Sequence, residues 1–188
     1  MKPATSIGVN SWMAQAQTQA VMKALMAGGQ PARFVGGCVR DALLGLPVKD
    51  IDIATPEPPG RVMELIEQAD LRAIPTGIDH GTITAICDGI PFEITTLRRD
   101  VETFGRHARV SYTTDWQEDA ARRDLTLNAL YCDLDGTVFD PVGGLVDLKE
   151  GRIRFVGGAR ARIEEDVLRL LRFFRFYAYY GVGTADPE

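Results

Sequence analysis

The sequence predicts an α/β (α+β) fold, a mixed β-sheet flanked by helices and followed by a helical element. Three observations carry this. Strand-like and helix-periodic segments are interleaved along the chain. Two Asp-Gly dipeptides, Asp88-Gly89 and Asp135-Gly136, lie between β-rich runs, a strong two-residue hairpin signal. Residues 164–180 form a long amphipathic run near the C-terminus. Strands joined partly by hairpins imply a mixed sheet rather than a pure βαβ array.

The elements follow in order. Residues 11–28 are rich in Ala, Gln and Met, all good helix formers, and Gly28-Gly29 stops the run. Ala14, Thr18, Val21 and Leu25 share one face of this helix. Phe34-Val35 is a short apolar strand, and Gly36-Gly37 turns it into a helix ending near Gly45. Residues 49–54 alternate charge with Ile and read as a strand. Pro58-Pro59 starts a helix whose Val62, Leu65, Ile66 and Ala69 fall at helical spacing. The runs 81–87 and 92–97 form the first hairpin. Residues 98–112 are polar without a period and read as a mobile loop. Asp115 or Thr114 caps a helix over 116–123. Residues 129–140 form the second hairpin, and Asp140-Pro141 ends it. The helix over 164–180 is expected to bury Val167, Leu170, Leu171, Phe174 and Ala178. Residues 184–188 carry no recognisable ending signal.

Composition narrows the function. The 188 residues are 45% hydrophobic and 25% charged, ordinary values for a folded domain. The length suits one average domain, or one domain and the start of a second. No stretch approaches the ~20 apolar residues that span a bilayer, and residues 1–11 lack the apolar core of a secretory signal. Cys38, Cys87 and Cys132 are an odd, widely spaced set without Cys-x-x-Cys. They suggest reduced, core-filling thiols in a cytoplasmic protein rather than a zinc site. The net charge of −5 hides an uneven distribution. Residues 1–150 carry 14 positive and 21 negative side chains, whereas 151–180 carry seven arginines against three acids.

Five stretches can carry chemistry. In Phe34-Val35-Gly36-Gly37-Cys38-Val39-Arg40-Asp41, a strand, a glycine pair and a helix start make an anion site. Gly36 and Gly37 let backbone N–H groups approach a phosphate, and Arg40 adds a charged contact. In Asp50-Ile51-Asp52, strand alternation sends both carboxylates to one face. Mg²⁺ takes one or two carboxylates together with substrate phosphates, the pattern of phosphoryl and nucleotidyl transfer. Glu93 shares a strand face with Thr95 and Leu97, and a carboxylate on a partly apolar face usually serves a cation or a base. Arg122 and Arg123 can meet a triphosphate or ribose, with Asp124 and Asn128 as orienting partners. Finally, Asp166, Arg169, Arg172 and Arg175 recur every three residues as a helical stripe. Asp and Arg together supply acceptors and a planar donor fork, which suits a base edge. Each stretch also has an ordinary reading, whether a tight turn, a solvated strand face or a surface ion-pair cluster. His80 and His107 have no metal or triad spacing.

Taken together and in this order, the five stretches resemble the tRNA nucleotidyltransferase and poly(A) polymerase family of the bacterial and eukaryotic class. The resemblance runs over about 33–180. It implies a DNA-polymerase-β-like head over residues 1–150 and the start of a truncated helical neck over 151–188. It implies that Gly37 and Arg40 hold a triphosphate, that Asp50 and Asp52 ligate Mg²⁺, and that Glu93 completes a carboxylate triad. Arg123 and its neighbours would contact the ribose and phosphates of the incoming nucleotide. Asp166 and Arg169 would pair with the edge of cytosine or adenine, supported by Arg172 and Arg175. The implied partners are CTP, ATP and the 3′ end of tRNA. Val167 stands where many members have Pro, and Leu125 where Phe is common.

Within the family, CCA addition and poly(A) addition compete. The stretch Thr76-Gly77-Ile78-Asp79-His80-Gly81-Thr82 lacks the basic pair often found in poly(A) polymerases, which favours CCA addition. The contrasting possibility is a catalytically silent nucleotide- or RNA-binding fragment, with the three late arginines as a phosphate patch.

Overall fold

A computed structural model of the chain describes residues 1–104 and 107–184. The elements are β1 (Thr5–Ser6), α1 (Ala16–Met26), β2 (Arg33–Val35), α2 (Gly37–Leu43), β3 (Asp52–Thr55) and α3 (Pro59–Gln68). They continue with β4 (Arg72–Gly77), β5 (Thr82–Cys87), β6 (Ile90–Thr96), β7 (Arg98–Phe104), β8 (His107–Tyr112) and α4 (Trp116–Ala121). Last come β9 (Tyr131–Cys132), β10 (Thr137–Phe139), α5 (Gly144–Glu150), α6 (Ala159–Glu165) and α7 (Leu168–Tyr180).

Eight strands form one mixed sheet in the order β1-β10-β9-β2-β3-β6-β5-β4. β3 and β6 run parallel and the other described pairs antiparallel. The β5–β6 turn places Asp88 at φ 49° and Gly89 at φ 79°, the geometry that Asp-Gly favours in a two-residue hairpin.

Alternation along the strands divides the core in two. Phe34, Ile53, Ile83 and Ile94 are buried with Val21, Met22 and Leu25 of α1 and Val62 and Ile66 of α3. On the other face Val35, Ala54, Leu97, Tyr131 and Phe139 are buried with Trp116 and Ala120 of α4. Each buried Val, Leu, Ile, Met or Phe side chain contributes about 1.5–3 kcal/mol by leaving water. Because Asp52 precedes Ala54 by two, and Glu93 precedes Leu97 by four, both carboxylates belong to the α4 face.

Several expectations are corrected. The first helix begins at Ala16, not at 11, so Ala14 lies outside it and is exposed. The third strand begins at Asp52, so Asp50 precedes it. Residues 98–112 are not an open loop. Here β7 and β8 pair antiparallel from Arg98↔Tyr112 to Phe104↔His107, with a register shift between Asp100 and Glu102. Ala108, Val110 and Tyr112 do alternate in the sequence, but Val101 and Phe104 stand three apart, so no single period spans the stretch. Gly105 and Arg106, which belong to that stretch, lie outside the described residues, as do 185–188.

The expected helix over 164–180 is two helices. Asp166 adopts φ −154° and ψ 107°, extended geometry that ends α6. Its Oδ1 accepts the backbone N–H of Leu168 at 3.0 Å, so it caps the start of α7 instead of riding on its surface. The buried face also differs. Val167, Leu171 and Phe174 are exposed, while Phe176 is buried and Phe173, Tyr177 and Tyr180 pack against the main core. Aromatic rings, rather than the aliphatic series, seat α7 on the sheet domain.

Candidate active site

The glycine turn is a backbone requirement before it is a binding site. Gly36 sits at φ 72° and ψ −123°, a region closed to side-chain-bearing residues. Its N–H donates to Leu130 O at 3.1 Å, and its carbonyl accepts from Arg40 N at 3.0 Å, which starts α2. Behind the turn, the Cys38 thiol donates to Val35 O at 3.3 Å. Burial pushes that thiol up to about 12, so it stays neutral and serves packing.

A cleft of about 410 Å³ opens beside this turn, lined by Gly37, Arg40, Asp41, Leu46, Pro47, Lys49, Asp50, Asp52 and Tyr180. The structure therefore brings the glycine turn, Arg40, Asp50 and Asp52 to one place. Glu93 is the register partner of Asp52 on the adjacent parallel strand. The Asp52 carboxyl is pushed up to about 6, first by burial and then by the charge of Glu93, while Arg123 opposes the rise and Asp50 adds to it.

Among the described residues no group of three or more His, Cys, Asp or Glu side chains is arranged to hold a metal ion. The crowding of Asp52 by two carboxylates is nevertheless an arrangement that a hard cation relieves. A pair of oxygen donors beside an open cleft matches the needs of Mg²⁺, which takes its remaining ligands from water and substrate phosphates. The donors present fit such an ion.

The arginines are fastened before any ligand arrives. Arg40 is buried, and its Nε and Nη2 each lie 2.8 Å from Asp41 Oδ1. Its Nη1 donates to Asn128 Oδ1 at 2.7 Å. Asn128 Nδ2 donates to Asp124 Oδ1 at 3.2 Å, and Arg172 Nε donates to Asp124 Oδ2 at 2.6 Å. Asp124 and Asn128 are thus orienting partners, and they orient Arg40 and Arg172. Burial works to raise the Asp124 carboxyl, and Arg172, Leu125 N–H and Asn128 hold it below the usual range.

Arg122 and Arg123 do not stand free as a pair. Both converge on buried Asp119, at 2.8 and 2.9 Å. Tyr131 Oη donates to the same carboxylate at 2.7 Å. Burial alone would raise Asp119, and the two arginines and Tyr131 overcome it, holding the carboxyl at about 2. Arg123 uses Nε and Nη2 in this cluster, and its Nη1 points toward Gly36, 3.9 Å from where a side chain there would begin.

Residues near the α6–α7 junction form a second group. Arg169 Nη1 lies 2.5 Å from Glu165 Oε2, which also pairs with Arg162 at 3.0 Å. Arg162 donates to the carbonyls of Val156 and Ala121, tying α6 to the end of α4. Arg175 is exposed, with its guanidinium 5.2 Å from the Phe176 ring. Asp166 and Arg169 do not line the cleft that holds Asp50 and Asp52.

Besides the apolar Leu46 and Pro47, the cleft residues Lys49 and Tyr180 escaped the sequence reading. Lys49 directly precedes Asp50, so its charge was open to view. Tyr180 follows Asp41 by 139 positions, and only the seating of α7 brings it there.

The sequence and fold are shared with known proteins. The human mitochondrial CCA tRNA nucleotidyltransferase 1 is 52% identical over 159 residues, covering 83% of this chain and 37% of the relative. The solved CCA-adding enzyme of Bacillus stearothermophilus in complex with CTP superposes with a TM-score of 0.79 at 36% identity. It covers 89% of this chain and 40% of that one. A tRNA nucleotidyltransferase complexed with a primer tRNA and an incoming ATP analog gives 0.69 at 29% identity, covering 87% and 46%. The chain therefore spans less than half the length of these relatives. No helix among the described residues is long and apolar enough to cross a membrane. Residues 32–154, from the strand before the glycine turn to just past α5, match the poly A polymerase head domain, and the chain belongs to that family.

Proposed function

We propose that this chain carries the catalytic head of a template-independent nucleotidyltransferase that adds CMP and AMP from CTP and ATP to the 3′-hydroxyl of tRNA. One observation carries the reading: the glycine turn, Arg40, Asp50 and Asp52 line a single cleft beside Glu93. The relatives named for CCA addition, and the absence of a basic pair over 76–82, favour this activity over poly(A) addition.

In this reading the backbone N–H of Gly37 and the Arg40 guanidinium bind the triphosphate, the Gly36 N–H being taken by Leu130 O. Arg123 Nη1 reaches the same side of the turn and meets the nucleotide there. Asp50 and Asp52 hold Mg²⁺, with Glu93 completing the acidic set. When bound, the metal lowers the pKa of the attacking hydroxyl and neutralises the departing pyrophosphate. Asp166 and Arg169 offer an acceptor and a donor fork to the base edge, and Arg172 and Arg175 support them. The head spans residues 1–150, and 151–188 begin a helical neck. The three buried free cysteines support a reducing compartment, for which we propose the cytoplasm.

The test is Mg²⁺-dependent pyrophosphate release from CTP in the presence of a minihelix carrying a tRNA acceptor end. Release that stops on chelation supports the reading. Binding of CTP without release from either CTP or ATP supports a silent binding module instead.

A further inference from the structure

Arg40 is held from three sides, and one of them is supplied by the far end of α7. The Tyr180 hydroxyl donates to Asp41 Oδ1 at 3.2 Å, the same oxygen that accepts from Arg40. The Tyr180 ring lies under the guanidinium, 4.4 Å from Arg40 Cζ to the ring centroid. Phe176, one turn earlier, contributes a second ring at 5.2 Å. A guanidinium over an aromatic face gains electrostatic energy that grows as water is excluded. A ring beneath Arg40 and a hydroxyl bracing its carboxylate partner leave its fork one orientation.

We infer that Tyr180 is a positioning residue that fixes Arg40 at the cleft, so that α7 presets the site's affinity for a polyphosphate. The polyphosphate part rests on the nucleotidyltransferase reading; the orientation of Arg40 does not. Tyr180→Phe keeps the ring and removes the hydroxyl. Tyr180→Leu removes both.

Two measurements on the full chain test this. In the first, the Arg40 Nε–H resonance is assigned by its loss in Arg40→Lys and its hydrogen exchange is followed by NMR. Exchange accelerates by about tenfold in Tyr180→Leu and by less in Tyr180→Phe. In the second, inorganic tripolyphosphate is titrated calorimetrically with Mg²⁺ present. Its Kd rises by about tenfold in Tyr180→Leu, and Tyr180→Phe recovers part of the loss. Unchanged Arg40 exchange in both variants overturns the inference, even if Tyr180→Leu lowers Tm. Accelerated exchange in a chain whose wild type binds no tripolyphosphate upholds the positioning role and sinks the nucleotide reading.

Discussion

Arg172 Nε reaches Asp124 Oδ2 at 2.6 Å across 48 positions of sequence, joining α7 to the segment that follows α4. The carboxylate is mostly buried and the guanidinium nearly half exposed, at 13% and 46% side-chain accessibility. That asymmetry sets the expected energetics. Arg172→Ala loses a partly screened contact and costs about 0.5–1 kcal/mol. Asp124→Ala also strips the acceptor from Asn128 and Leu125 N–H, and costs about 2–3 kcal/mol. Urea unfolding of both single variants and the double variant gives the coupling, which we expect to be below about 1 kcal/mol.

Asp119 is the sharper case, because its two arginines and Tyr131 all lose their acceptor together. Asp119→Ala should destabilise by about 3–5 kcal/mol, the range for breaking a buried ion pair. The pH dependence follows from its depressed pKa. The folded carboxyl titrates at about 2 against 3.8 unfolded, so its contribution is complete above pH ~4 and is lost as pH falls toward 2. About 2 kcal/mol disappears across that window. Thermal melts between pH 2 and 5, wild type against Asp119→Asn, isolate it. A difference that stays constant through this range refutes the assignment.

Asp50→Ala and Asp52→Ala are expected to abolish CMP and AMP incorporation while leaving the fold intact. For Asp52 the fold is expected to be no less stable in the variant. Burial and the Glu93 charge disfavour its ionised form, so Asp52→Asn should match or exceed the wild-type Tm in metal-free buffer at pH 7. Activity assays paired with calorimetry check both halves. Full activity in either alanine variant removes the carboxylates from the metal site.

Asp166→Ala and Arg169→Ala should relax the choice of CTP and ATP over UTP and GTP more than they weaken Mg²⁺ binding. An incorporation assay with all four nucleotides reads this directly. Because Glu165 holds Arg169 at 2.5 Å, Glu165→Gln should shift selectivity in the same direction by a smaller factor. Unchanged selectivity in all three variants leaves the α6–α7 junction without a role in base choice.

The helix and hairpin pattern was readable wherever local chemistry decided it. The Asp88-Gly89 turn, the Asp115 cap on α4 and the Pro59 start of α3 each declare themselves in a few residues. The carboxylates and the glycine turn were readable for the same reason. What escaped depended on distant partners. β4 is an edge strand with Pro75 inside it and no buried side chain, so it shows no clean alternation. The break at Asp166 and the aromatic seating of α7 depend on what the helix packs against. The sequence singles out the arginines by type and spacing, but their bonds to Asp41, Asp119, Asp124 and Glu165 arise from folding, not spacing.

The pairing of Asp52 with Glu93 carries a consequence for how the acidic group tolerates change. Glu93 sits three positions past Ile90, the first residue after the tight turn at Asp88-Gly89. That turn, at the start of β6 and three residues from its central Glu93, therefore acts as the ruler for the acidic group. One residue inserted there shifts β6 by one step and swings Glu93 toward the α1–α3 side, while Ile94 turns toward the carboxylates. A length change in a surface loop, normally the most forgiving kind of mutation, would here disarm the site without touching one of its residues.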